Sequence, residues 1–331
     1  MSEPTSEALW YVGAGRAEIR DEPLPEPGPG EVRVRALHSA VSRGTERLVL
    51  AGRVPPSEFE RMRAPFMAGT FPFPVKYGYA MVGRVERGPI ELQSRLVFAL
   101  HPHQSVFTVP AGAVVPIPDG VPPARAVLAA NMETALNAMW DAAPAPADRI
   151  AVVGAGVVGS LAAWLCGQLP GAQVTLVDVE PSRAGLARTL GVGFAAPGAV
   201  PGDCDLVIHA SGTAAGLATA LGLAGDEATV LELSWYGADE VAIPLGGAFH
   251  SRRLKLISSQ VGRVAPSHRA RWTLSRRMAA ALDLLGDPRL DALLALAIKF
   301  HDLPARLPDI LGPRSGVLCQ LVTYPAAETT A

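Results

Sequence analysis

The chain has little cysteine: three in 331 residues, Cys166, Cys204 and Cys319, with no C-x-x-C pair among them. That spacing argues against a disulfide scaffold or a thiol metal clip and leaves three reduced, mostly buried thiols. An excess of charge is also missing. Lys and Arg number 29 against 31 Asp and Glu, a formal net charge of −2, so no basic footprint marks a nucleic-acid partner. Long apolar runs are absent, and stretches such as Leu290 to Ile298 are too short or too interrupted to span a bilayer. The N-terminal M-S-E-P-T-S-E is acidic and polar, unlike a signal or transit peptide. A soluble, cytoplasmic protein without a membrane partner is expected. No repeat or low-complexity array appears, and the length suits two domains with a sizeable core.

What is present centres on residues 150–178. Ile150 to Val153 is a short, β-branched apolar run that reads as a strand buried on both faces. It leads into Gly154, Gly156 and Gly159, spaced G-x-G-x-x-G, with Val157 and Val158 between the last two. Helix formers occupy Ser160 to Leu169, and Gln173 to Val177 reads as a second strand ending in Asp178. In such a unit the first glycine permits a tight turn and the second lets backbone approach a pyrophosphate. The third allows close helix–strand packing, and the helix N-terminus offers N–H groups to the phosphates. Asp178 lies 19 residues after Gly159, where a carboxylate accepts hydrogen bonds from ribose hydroxyls. The carboxylate repels a 2′-phosphate, so NAD is expected over NADP, although Arg183 nearby could accommodate that phosphate. The competing reading is a glycine-rich βα turn that binds nothing.

Before this unit, Ala8 to Val12, Ala17 to Asp21 and Glu31 to Val41 read as strands, with a hairpin turn at Gly13-Ala14-Gly15. Val75 to Glu86 and Arg95 to Val109 continue the β pattern. Between them, Gly52 to Pro74 is proline-rich and holds four of the nine phenylalanines: Phe59, Phe66, Phe71 and Phe73. Two readings stay open there, a loop with its own satellite core or an aromatic wall over an apolar substrate. Pro122-Pro123 opens a helix running to about Trp140. After Asp178 the alternation continues: helix at Ala184 to Leu190, strand at Asp205 to His209 followed by Ser211-Gly212, helix at Thr213 to Leu223, strand at Ala228 to Leu233. A strand at Leu254 to Ser259, helices at Arg276 to Leu285 and Asp302 to Leu311, and a closing strand at Gly316 to Thr323 complete the reading.

This arrangement resembles the medium-chain dehydrogenase/reductase superfamily, the relatives of zinc alcohol dehydrogenase, over nearly the whole chain. The matching stretches are Pro25-Glu26-Pro27-Gly28-Pro29-Gly30-Glu31-Val32, Arg43-Gly44-Thr45-Glu46, Gly78-Tyr79-Ala80 with Gly83, and the glycine loop. The resemblance implies an α/β fold pairing a GroES-like β domain with a Rossmann doubly wound parallel sheet, and a C-terminus that returns to the first domain. Boundaries at 1–125 with 262–331, and at 126–261, are expected. Zinc members carry C-G-T-D and G-H-E at the second and third motifs. Here Arg43 replaces the cysteine and Tyr79 the histidine, and the third ligand position falls near Ala130, so the usual zinc site cannot form. The four-cysteine structural lobe expected after the strand near Val97 is missing too. Among zinc-free branches the chain is most similar to the group around bacteriochlorophyllide hydroxyethyl dehydrogenase.

The resemblance therefore implies a zinc-independent, NAD(H)-linked oxidoreductase acting on an alcohol/carbonyl pair of an apolar substrate held in a cleft between the domains. A quinone or enone reductase remains an alternative, as does a dinucleotide-binding sensor without turnover. Without zinc, another group must steady the substrate oxygen. Arg43 could supply positive charge, or pair with the cofactor pyrophosphate or Glu46. Tyr79 could supply a phenolic donor, or pack under the nicotinamide. Thr45 matches the hydroxyl of the zinc enzymes' proton relay. His101 and His103 read as the end of a strand, at i and i+2, and so on one face. They could relay a proton or share a metal, with Glu46 completing the set, or simply be a surface or hydrogen-bonded pair. Glu133 is a spare carboxylate or a helix-surface residue, and Ser211 a cofactor contact. A homodimer through the edge strand near Leu254 to Ser259 is expected.

Overall fold

The computed structural model describes residues 4–313 and 315–325, so the first three residues of the polar N-terminal stretch lie outside it. The chain divides into two compact units: Met1–Ala130 with Leu282–Gly286 and Leu294–Ala331, and Asn131–Ala281 with Asp287–Leu293.

The first unit opens with the expected hairpin, β1 (Thr5–Gly13) and β2 (Arg16–Pro23), paired antiparallel. Then follow β3 (Glu31–Val41), α1 (Arg43–Leu50), β4 (Ala68–Gly69), β5 (Val75–Lys76), β6 (Met81–Arg87), β7 (Leu96–Ala99), β8 (Val106–Pro110), β9 (Val114–Pro116) and α2 (Pro123–Ala126). The long strands read over 75–86 and 95–109 are each broken in two. At the first break Gly78 has φ +130°, and a Cβ there would stand 2.9 Å from the His103 ring. Backbone of that kind favours glycine and cannot continue a strand. The second break, residues 100–105, delivers that ring. The breaks are what release Tyr79, His101 and His103 from the sheet. Likewise, the single helix read over 122–140 is two, α2 and α3 (Ala129–Ala142).

The second unit continues with β10 (Arg149–Val153), α4 (Val157–Cys166), β11 (Gln173–Val177), α5 (Arg183–Leu190), β12 (Gly193–Ala195), β13 (Cys204–His209), α6 (Ala214–Leu223), β14 (Ala224–Glu232), β15 (Lys255–Ser258) and α7 (Leu274–Leu284). Its six strands are parallel in the order β12-β11-β10-β13-β14-β15. Ile150, Val152, Leu176, Val207, Ile208, Val230 and Leu231 are fully buried, as strands covered on both faces require. The chain then adds β16 (Leu294–Lys299), α8 (Leu303–Leu311) and β17 (Cys319–Thr323) to the first unit. There β17 pairs antiparallel with β3 in a seven-stranded sheet. The strand at 294–299 falls in a stretch the sequence reading left unassigned.

Residues 262–281, assigned above to the first domain, belong to the second unit. The reason is Arg277, whose side chain is 1 % exposed. Its Nε donates to Glu133 Oε1 at 3.0 Å and its Nη1 to Asn137 Oδ1 at 2.5 Å, and it also donates to the carbonyls of Val261 and Arg263. Glu133 is thus a buried ion-pair partner and not a spare carboxylate. Burial pushes its pKa up even against the opposing pull of Arg277. Breaking a buried pair by removing one partner costs about 3–5 kcal/mol. We predict that Arg277→Met loses stability of that order in urea unfolding at pH 7. A carboxyl whose folded pKa is raised is taken up protonated by the native state as pH falls. The loss should therefore shrink toward pH 5; a deficit that grows there would contradict this account.

Candidate functional site

In the second unit the glycine motif forms a tight strand-to-helix turn. Gly154 turns at φ +109°, and a Cβ on Gly159 would stand 2.0 Å from the Gly154 carbonyl oxygen, so β10 and α4 meet through bare backbone. Gly156 is the N-cap of α4, and no side chain caps the helix, which leaves leading N–H groups around Val157 and Val158 for an anion. Nothing lies within 4 Å of a Cβ built on Gly156. That open space above a helix N-terminus fits a dinucleotide pyrophosphate. Asp178 follows β11, and its carboxylate accepts the Ala155 N–H at 2.6 Å and the Glu180 N–H at 2.9 Å. It braces the loop, and lone pairs remain for a ribose. Arg183 is the first residue of α5. Ser211 sits in the turn after β13, its backbone nitrogen 2.7 Å from a Cβ built on Gly154.

In the first unit, Ser42 is the N-cap of α1, yet its hydroxyl caps nothing. Instead Ser42 Oγ lies 2.5 Å and Thr45 Oγ1 3.0 Å from the half-buried Tyr79 hydroxyl, so three hydroxyls converge. Burial pushes the Tyr79 phenol up to about 12, so it stays protonated and serves as a donor at neutral pH. Behind this cluster Glu46 is wholly buried. Its Oε1 accepts the Ser42 N–H at 2.6 Å, and its Oε2 takes the Tyr11 hydroxyl at 2.5 Å and lies 3.1 Å from His103 Nε2. His103 Nδ1 is 2.7 Å from Ser39 Oγ, which is 2.9 Å from the Tyr324 hydroxyl. Tyr79 also ends an aromatic ladder, Phe59–Phe71–Tyr77–Tyr79, with ring centroids 5.7, 5.7 and 6.1 Å apart.

Thr45, Glu46, Tyr79 and His103 are therefore brought together, and Arg43 and His101 are not. The Arg43 guanidinium donates through Nε, Nη1 and Nη2 to the carbonyls of Ile310, Val317 and Gly312, at 3.0, 2.6 and 2.9 Å. A cation committed to those three carbonyls ties α1 to the end of α8 and is not presented to a substrate oxygen. The histidines leave an irregular segment and do not share a face. His101 stacks between Phe107 and Phe66, with centroids 3.9 and 5.5 Å away, and burial lowers its pKa to about 3. It is a neutral packing group. The side chains at the zinc positions are a guanidinium, a phenol and the methyl of Ala130, which do not fit that metal. Among the described residues no three His, Cys, Asp or Glu side chains converge on a metal-sized site.

Sequence reasoning missed Ser42, Ser39, Tyr11 and Tyr324 here, and His209 and Glu232 in the second unit. Of those in the first unit only Ser42 gave a local signal, as a serine one residue before a helix. Glu46→Ala would strand the Tyr11 hydroxyl, the Ser42 N–H and the His103 ring in a dry site, at about 1–3 kcal/mol per unsatisfied group. We predict a loss of at least about 3 kcal/mol in urea unfolding for Glu46→Ala, against under about 1.5 kcal/mol for Tyr79→Phe, which unpairs no charge. Equal losses would show that Tyr79 belongs to the buried framework.

No family model matches the chain, and no curated protein matches its sequence. Solved structures do. L-idonate 5-dehydrogenase of Escherichia coli str. K-12 substr. MG1655 superposes with a TM-score of 0.79 at 14% identity, covering 97% of this chain and 99% of that one. Acetophenone reductase of Geotrichum candidum NBRC 4597, in complex with NAD, gives 0.76 at 18% identity and 98% coverage of both chains. A Sinorhizobium meliloti 1021 protein bound to NADP gives 0.76 at 19% identity, covering 97% of this chain and 100% of that one. At such identities the likeness establishes the fold: the chain has the α/β architecture of these dehydrogenase and reductase structures, a GroES-like β unit joined to a Rossmann unit.

Proposed function

We propose that the protein is a zinc-independent oxidoreductase that uses a nicotinamide dinucleotide, NAD in preference to NADP, on an alcohol/carbonyl pair of an apolar substrate. The observation that carries this reading is the convergence of the Ser42 hydroxyl with those of Tyr79 and Thr45, which stand where the resembling enzymes hold a metal ligand and a relay hydroxyl. A bound nicotinamide supplies or accepts the hydride. Gly154, Gly156, Val157, Val158 and Gly159 would hold its pyrophosphate, Asp178 and Ser211 its sugars, and Arg183 stands at the edge of that cradle. Tyr79, neutral because its pKa is raised, donates a hydrogen bond to the substrate oxygen as negative charge grows there. In the reduction direction the phenol gives its proton to the substrate oxygen, and Ser42 and Thr45, which accept from it in the free protein, return one from solvent. Glu46 and His103 hold α1 and the Gly78 turn in register and touch no substrate. Behind the phenol, Phe71 and Tyr77 are buried and make the phenylalanine-rich segment a packed satellite core rather than an open wall, so the apolar substrate rests on the likeness of the sequence to the bacteriochlorophyllide group.

Removing one such donor typically costs roughly 10²–10³ in turnover. On a panel of alcohols and ketones, Tyr79→Phe should lose turnover on that scale while its NADH dissociation constant stays within about twofold of wild type. Turnover should survive exhaustive chelation. A Tyr79→Phe variant at full speed, or an enzyme silenced by chelators, would refute the assignment.

Asp178→Ala should weaken NADH binding by about 1.5–3 kcal/mol and narrow the preference over NADPH, because a charge-assisted contact to ribose is lost. A wild type that already prefers NADPH would overturn the role given to Asp178. Because β15 is an edge strand of the six-stranded sheet, its unpaired backbone supports a homodimer built by edge pairing. A single-chain mass in light scattering at micromolar concentration would exclude that assembly.

A further inference from the structure

Two polar side chains stand at the carboxyl ends of strands that are otherwise apolar. His209 ends β13 and Glu232 ends β14, and the two are direct partners in the parallel register. The His209 ring is fully buried. Its Nδ1 is 2.7 Å from Glu232 Oε2, and its Nε2 is 2.6 Å from Ser211 Oγ. Glu232 is further held by the Ser234 N–H on Oε1 at 2.7 Å and by the Tyr236 hydroxyl on Oε2 at 3.0 Å. Burial works to raise its pKa, but the hydrogen bond from His209 and the N–H of Ser234 outweigh it, leaving the carboxyl below its ordinary value. Glu232 is thus an anion and accepts only.

An anionic acceptor fixes the imidazole. Glu232 takes the proton of Nδ1; in the neutral ring Nε2 then carries a lone pair, and the Ser211 hydroxyl donates to it. Thr213 Oγ1 accepts the Gly216 N–H at 3.1 Å as the cap of α6, and once Ser211 has given its proton to His209 the Thr213 hydroxyl is the donor to Ser211 Oγ, 3.0 Å away. With its own proton committed, Ser211 Oγ offers only lone pairs to whatever approaches from solvent. The serine stands in the turn after β13, against the glycine loop that follows β10. Since β10 and β13 are neighbours while the chain runs outward from them in opposite directions, these turns flank the switch point of the sheet. Ligands of doubly wound sheets bind at such a point. An acceptor there repels phosphate oxygens and welcomes a hydroxyl, and the hydroxyls of a dinucleotide are those of its riboses.

We propose that Glu232 and His209 are positioning residues that set the polarity of Ser211, holding its hydroxyl oxygen as an acceptor for a ribose hydroxyl of the bound dinucleotide. The proposal rests on the dinucleotide reading above and adds to it two residues that touch no ligand themselves.

The test is Glu232→Gln, which keeps shape but can present an amide N–H to Nδ1. The imidazole proton then moves to Nε2, Ser211 becomes the acceptor inside the network, and its hydroxyl proton turns outward. Nitrogen-15 NMR of the histidine rings should show His209 protonated at Nδ1 in wild type and at Nε2 in Glu232→Gln. In NADH fluorescence titrations Glu232→Gln and Ser211→Ala should each bind roughly 3- to 10-fold more weakly, the worth of one neutral hydrogen bond. The double variant should bind no more weakly than Ser211→Ala alone, because the carboxylate acts only through that hydroxyl. Additive losses, or NADH titrations unchanged in both single variants of a wild type that binds, would overturn the inference and leave the dinucleotide reading intact. A wild type that binds no NADH would overturn both. Ser211→Ala deletes a single oxygen, so this arm does not depend on whether Glu232→Gln folds.

Discussion

The contact on which the second unit depends is backbone against backbone. With only hydrogens on Gly154 and Gly159, α4 can start directly against the end of β10, at a distance that a single methyl would forbid. That approach places the N-terminus of α4 beside the carboxyl end of the central strand. It also lets the turn after β13 close against the same loop, with Ser211 in contact with Gly154. The Asp178 carboxylate locks the arrangement from the other side by accepting the Ala155 N–H.

The first unit is organised by a buried carboxyl group. Glu46 takes hydrogen bonds from α1, from β1 through Tyr11 and from the segment after β7 through His103, so one carboxylate fixes three elements. A buried carboxylate is tolerable only when so fully satisfied. Its effect on Tyr79 is indirect. Glu46 accepts the Ser42 N–H and so holds the backbone at the start of α1, while the Ser42 hydroxyl caps no helix N–H and pairs with the phenol instead. The polar framework behind the cluster and the donor at its surface thus have separate tasks, one structural and one chemical.

Local pattern made much of this legible. The βαβ unit at 149–177 follows from alternating strand and helix composition with glycines between, and the hairpin at 5–23 from its glycine turn. Thr45, Glu46 and Tyr79 are legible through motif position. What failed did so because the deciding partner lies far along the chain. Arg43 stands at the position of a metal ligand, but the carbonyls that claim it are 267–274 residues away, at the end of α8 and before β17. The histidine pair looked like one face of a strand because nothing local shows that Gly78 turns at φ +130° and admits His103 alone. His209 and Glu232, 23 residues apart, meet only because parallel strands place their ends side by side. A polar residue ending each of two apolar strands is the trace that pairing leaves in sequence.

The central claim is that the glycine loop is a preformed dinucleotide cradle in a working oxidoreductase, and Gly156 offers its most direct test. A side chain there meets only open space within the protein, so Gly156→Val should fold with the far-ultraviolet spectrum and unfolding midpoint of the wild type. The same side chain would fill the space assigned to the pyrophosphate. Isothermal titration with NADH should therefore show saturable binding to the wild type and a loss of at least about 100-fold in the normally folded variant, the equivalent of about 2.7 kcal/mol. A folded Gly156→Val protein that binds NADH as tightly as the wild type would contradict the account.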